Sequence, residues 1–193
     1  MFKPTFITAA ALSALMLIST ASAGRAAETG KTPALRCAAA VEAASRSGTV
    51  TDAATQTCQQ ALGWAHFVPD ELGPVLSNNG VLHLIRGDYQ AALTDFNAAL
   101  RAGAEASSTL NDRGLAEAGL HQYQAAVDSY GQALAKATAN QERIYFNRAM
   151  AQEDLGNLKA AFLDYRKANE LAPNWRKAAN ELSRFKVAYP SMV

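Results

Sequence analysis

The chain is poor in the residues that most site chemistry needs. Its 193 residues include only two cysteines, three histidines, six prolines and two tryptophans. The histidines, His66, His83 and His121, are scattered, and no two share the spacing of a zinc site. No Gly-x-Ser-x-Gly sets a serine on a nucleophile elbow, and no glycine-rich loop is shaped to cradle a phosphate. These absences argue against an enzyme and against a bound cofactor or metal. Charge is equally undistinguished: 18 bases stand against 17 acids, interleaved along the chain. Such a balance gives no electrostatic footprint for nucleic acid.

Long apolar runs are missing apart from one at the N-terminus. Lys3 precedes an apolar stretch from Phe6 to Ile18, and Ser19-Thr20-Ala21-Ser22-Ala23 follows it. Positive, apolar, then small is the order of a secretory signal, with cleavage expected after Ala23. The alternative is an uncleaved anchor, but the run is shorter than the ~20 residues of a span. Residues 1–23 therefore read as a signal peptide and 24–32 as a flexible leader. Export is expected, to a bacterial periplasm, without membrane insertion once the signal is cut. Loss of Lys3 leaves 17 bases against 17 acids. In an exported chain Cys37 and Cys58 read first as a disulfide, ahead of a metal pair or a reactive thiol.

Alternation at period two is also absent, so no sheet is expected. What the sequence does contain is self-similarity. Gly87-Asp88-Tyr89-Gln90-Ala91-Ala92-Leu93 returns 34 places on as His121-Gln122-Tyr123-Gln124-Ala125-Ala126-Val127. It returns again, 35 further on, as Gly156-Asn157-Leu158-Lys159-Ala160-Ala161-Phe162. Each copy carries apolar residues at three- and four-residue spacing, the mark of one helix face. Tyr89, Ala92, Phe96 and Ala99 form the first such face, with Gly103 closing the helix. Pro74 suits the first turn of the preceding helix, where its missing N–H costs nothing. Repetition at this period means stacked helix pairs. Asp88, Asp95, Asp128 and Asp164 recur within it and read as single solvated acids.

The pattern resembles the tetratricopeptide repeat family. A small residue stands midway along each first helix, at Gly80, Gly114 and Ala149. Small, aromatic and small residues stand on each second helix: Ala92, Phe96, Ala99; Ala126, Tyr130, Ala133; Ala161, Tyr165, Ala168. The resemblance implies an all-α solenoid of antiparallel helix pairs with repeats at 73–106, 107–140 and 142–175. A degenerate pair over 33–68 precedes them, with Cys58 in the aromatic's place. A bridge between Cys37 and Cys58 would staple that terminal unit. A capping helix over 176–193, with Ala178, Leu182 and Phe185 on one stripe, closes the stack.

The resemblance also implies a mode of action. The family's concave surface is lined by first helices and holds a partner's peptide or helix. By register that surface takes Asn78, Val81, Leu84 and Ile85, then Asn111, Asp112 and Leu115, then Phe146, Asn147 and Met150. Asn78, Asp112 and Asn147 share one register and Val81, Leu115 and Met150 another, a polar ladder beside an apolar one. Alternatively, the asparagines satisfy backbone groups between repeats. Arg113 and Arg148 share a register too, and neighbouring acids favour inter-helix pairing. Chaperone-binding members clamp a C-terminal carboxylate with lysine and asparagine. This chain has no lysine in Ser77-Asn78-Asn79-Gly80-Val81 and puts an acid at Asp112. The expected function is a non-enzymatic protein-interaction module of the cell envelope. Structural assembly through self-association or the convex face is the alternative.

Overall fold

The computed structural model describes residues 32–66 and 68–188. The expected signal segment and the leader up to residue 31 lie outside the described residues. Within them every regular element is a helix: α1 (Pro33–Ser47), α2 (Asp52–Ala65), α3 (Pro69–Arg86), α4 (Tyr89–Arg101), α5 (Ala106–Gly119), α6 (Tyr123–Lys136), α7 (Gln141–Asp154), α8 (Leu158–Leu171) and α9 (Arg176–Ala188). Successive helices pack as hairpins, α1 with α2, α3 with α4, α5 with α6 and α7 with α8, and α9 lies on α8.

The helix ends follow from local chemistry. Thr32 and Thr51 each accept a bond from a backbone amide in the first turn of the helix they precede. Gly87 and Gly156 take left-handed conformations, φ 80° and 76°, where α3 and α7 turn back on themselves. His121 occupies the same step between α5 and α6 at φ 59°, a conformation that favours glycine. The start of α3 departs from the sequence reading. It lies at Pro69, not Pro74. Pro69 fills the slot that needs no N–H, and Asp70 and Glu71 favour the positive helix end. Pro74 then sits inside the helix, and Gly73 before it explains why that is tolerated. Proline clashes with a preceding Cβ, and Gly73 has none. A Cβ there would also lie 2.6 Å from the Ala104 amide nitrogen of the turn leading into α5.

Each hairpin from α3 to α8 closes on one aromatic ring. A Cβ on Gly80 would meet Cε1 of Phe96 at 2.7 Å, and one on Gly114 would meet Cε1 of Tyr130 at 2.6 Å. Phe96, Tyr130 and Tyr165 are fully buried between the paired helices. The first hairpin substitutes a covalent tie. Cys37 and Cys58 form a disulfide with a Cα–Cα distance of 4.6 Å, and both are fully buried with Val41, Ala44 and Ala61 around them. At the far end Phe185 of α9 packs on Tyr165, centroids 5.4 Å apart, beside Ala178 and Leu182.

A polar tie accompanies the ring in every repeat. Asn79 donates to Asp95 at 2.6 Å, Arg113 to the Ser129 hydroxyl at 3.1 Å, and Arg148 to Asp164 at 2.7 and 2.8 Å. The Ser129 hydroxyl in turn donates to the buried Glu117. Asp95 and Asp164 are thus not the solvated acids that the sequence suggests. Their register turns inward between the two helices, and only Asp88 and Asp128 of the four are exposed.

Candidate functional site

The first helices α1, α3, α5 and α7 line a concave cavity of about 930 Å³. Val41 and Ser45 of α1 form one end and Arg143 and Ile144 of α7 the other. Between them lie Val81, Leu84 and Ile85 of α3 and Asn111, Asp112 and Leu115 of α5. The wall is apolar because these are the helix faces left over after the opposite faces pack against second helices. Tyr89 contributes from the start of α4. Its ring lies against Gly119, where a Cβ would be 2.5 Å from Cδ1. Only glycine leaves that ring its place.

The polar side of the cavity is a short chain of side chains. Asn147 donates to the Asn111 side-chain oxygen at 3.0 Å, and Asn111 donates to Oδ1 of Asp112 at 3.1 Å. These groups bond one another across α7 and α5 and do not bond backbone. Asn78, half-buried on α3, takes no part in the chain. Burial pushes the Asp112 carboxyl up to about 6, against the bond from Asn111 and the attraction of Arg143, while Glu105 adds repulsion. Glu105 behaves oppositely. Bonds from Ser108, and then from the Ser107 amide, hold its carboxyl below the ordinary range. Those amides bond it at 2.7 and 2.8 Å, which makes Glu105 the N-cap of α5.

Of the residues the sequence assigns to the groove, Val81, Ile85, Asn111, Asp112 and Leu115 line this cavity. Asn147 supports it from behind through Asn111. Met150 is exposed on α7 but lies outside the lining. Phe146 is a correction. It is 2 % exposed and packs edge-on to Tyr165 and against Trp175, at 5.4 and 4.9 Å between centroids. The last repeat meets the α9 cap, so a large apolar side chain there fills the join and not the groove. Register reasoning also omits the α1 wall, Tyr89, Glu105 and Arg143. Ser108 and Arg143 stand one turn before Asp112 and Asn147, so the same register, extended one turn, finds both.

No group of three or more His, Cys, Asp or Glu among the described residues is placed to hold a metal ion. No helix among them is long and apolar enough to cross a membrane.

Comparison with known proteins agrees with this fold. The tetratricopeptide repeat family model matches residues 142–174, which hold α7, α8 and the turn after them. Among solved structures, the first TPR domain of Spaghetti (RPAP3), bound to the HSP90 peptide SRMEEVD, is similar at 26 % identity. The match covers 60 % of this chain and 94 % of that one, with a TM-score of 0.56. A MamA RS-1 ArsTM double mutant is similar in fold at 21 % identity and a TM-score of 0.65, over 82 % of this chain and 85 % of that one. No curated protein matches the chain. The fold is an all-α helical-repeat solenoid of tetratricopeptide type.

Proposed function

We propose that this protein is a non-enzymatic interaction module that holds a peptide or helix of a partner protein in the cavity between α1, α3, α5 and α7. One observation carries the reading. An open concave wall of Val81, Leu84, Ile85 and Leu115 runs beside the Asn147–Asn111–Asp112 chain, so apolar side chains and backbone amides of a ligand both find counterparts. The peptide-bound state of the similar Spaghetti domain supports it. The N-terminal pattern of residues 1–23 and the Cys37–Cys58 bridge support a place outside the cytoplasm, in the cell envelope.

A random peptide library displayed against the protein tests the reading. Enriched peptides should lose binding to Leu115→Glu, a substitution at a side chain already 37 % exposed that leaves the core intact. Peptides that bind Leu115→Glu and Ile85→Ser as tightly as the parent would place recognition elsewhere. A stable oligomer in light scattering that Leu115→Glu dissociates would move the function to self-assembly.

A further inference from the structure

We infer that the groove selects a partner segment presenting a lysine or arginine between apolar side chains, with the cation seated against Asp112. This rests on the groove reading above and adds the chemical class of the ligand.

The charges in the groove differ in how far they are already engaged. Three charged side chains line the cavity: Glu105, Asp112 and Arg143. Both oxygens of Glu105 are held by the amides at the start of α5. Arg143, exposed on α7, attracts Asp112 without reaching ion-pair distance. Asp112 is left with one oxygen bonded to Asn111, while the other takes no hydrogen bond from the described residues. That second oxygen belongs to a side chain lining the cavity.

The balance of forces on this carboxylate is unfavourable as it stands. Burial outweighs what Asn111 and Arg143 return, and Glu105 makes matters worse. Tyr130 on α6 is kept neutral by burial first and then by Glu117 and Asp112, and a neutral phenol brings Asp112 no positive charge. A recessed carboxylate with an unbonded oxygen lacks a positive partner. A ligand carboxylate would meet two acids there. A ligand amide supplies a hydrogen bond but no charge. A lysine or arginine supplies both, and Val81, Ile85 and Leu115 cover its methylenes.

The test uses library-selected peptides and their matched variants. Selection on the parent protein should enrich a basic residue with apolar neighbours. Replacing that residue by glutamine should weaken binding about tenfold for the parent and less than about twofold for Asp112→Asn, as expected of one charge-assisted bond. Arg143→Gln, which removes a competing cation, should tighten the basic peptides. Peptides that require Leu115 but carry no basic residue, or whose basic residue matters equally to Asp112→Asn, overturn the cation site and leave the groove standing. Peptides indifferent to Leu115 and Ile85 overturn the groove and the inference with it. Unchanged circular dichroism of Asp112→Asn separates lost recognition from lost fold.

Discussion

Arg148 and Asp164 meet as a bidentate pair, Nε and one terminal nitrogen donating to the two carboxylate oxygens at 2.7 and 2.8 Å. The pair joins the middle of α7 to the middle of α8, with Asp164 only 7 % exposed. The same slot holds Asn79 and Asp95 in the first repeat. In the second it holds Arg113 and Ser129, with Glu117 supplying the acid from the first helix. The charge thus changes helices from repeat to repeat while the tie stays in place.

Removing Asp164 leaves the Arg148 guanidinium half-buried without its partner. Asp164→Ala is expected to destabilise the protein by about 2–3 kcal/mol, less than the ~3–5 kcal/mol of a fully buried broken pair because Arg148 keeps some solvent. Asp164→Asn, which retains an acceptor, should cost less. Urea denaturation of both variants gives the comparison. Equal, negligible losses would show that the tie is replaceable by water.

The Gly114–Tyr130 contact sets the spacing of the middle hairpin. Alanine is the better helix former by about 1 kcal/mol, so propensity alone makes Gly114→Ala stabilising. Packing argues the other way, since the new Cβ would lie 2.6 Å from a ring that is 1 % exposed and has nowhere to swing. Overpacking of that kind costs about 1–3 kcal/mol, so a net loss near 1 kcal/mol is expected. Thermal melts of Gly114→Ala settle which effect wins. A raised melting temperature would mean the hairpin can adjust to admit the methyl that Ala149 carries in the third.

The repeat was legible because its small and aromatic residues are constrained from both sides of a hairpin. Gly80 with Phe96 and Gly114 with Tyr130 admit few substitutes, so the spacing survives in the sequence. The inner wall was legible where its residues face solvent in the same register, as Val81 and Leu115 do. Phe146 escaped that logic because a terminal repeat meets a cap and not another repeat. The start of α3 escaped because two prolines compete for one slot, and the choice depends on Gly73 lying against Ala104. Asp95 and Asp164 were misread because periodicity marks a face but does not say that an acid on it finds a partner. Arg143 was missed because it faces the groove from the first turn of α7, above the rows that the repeat makes conspicuous.

The Cys37–Cys58 bridge ties the hairpin that has no aromatic between its helices. It closes a loop of 21 residues, which by chain entropy is worth about 3 kcal/mol. Because α1 also walls the groove through Val41 and Ser45, reduction should loosen that end first. Hydrogen exchange with and without reductant is expected to show faster exchange across α1 and α2 while α5 to α8 stay protected. Uniform acceleration throughout the solenoid would show instead that the terminal hairpin and the repeats unfold as one unit.

Asp112 should lower stability at neutral pH, and the sign follows from its titration. Its carboxyl ionises at about 6 in the folded protein against 3.8 ordinarily, so between those values the folded state keeps a proton that the unfolded state has released. Stability therefore falls as pH rises through that window and stays lower above it. Asp112→Asn keeps the acceptor for Asn111 and removes the charge. The variant is expected to be more stable than the parent at about pH 7.5, by about 1 kcal/mol once partial solvent exposure is discounted, and equal to it near pH 4. Guanidinium denaturation at the two pH values measures the difference. A variant no more stable at the higher pH would mean the carboxylate is well solvated there. A basic groove ligand relieves this penalty. The same peptide should then raise the melting temperature of the parent more than that of Asp112→Asn, because binding to the folded state adds stability that grows with the logarithm of affinity. A residue that costs the fold and repays only on binding is what a recognition site, and not a packing position, leaves in a solenoid.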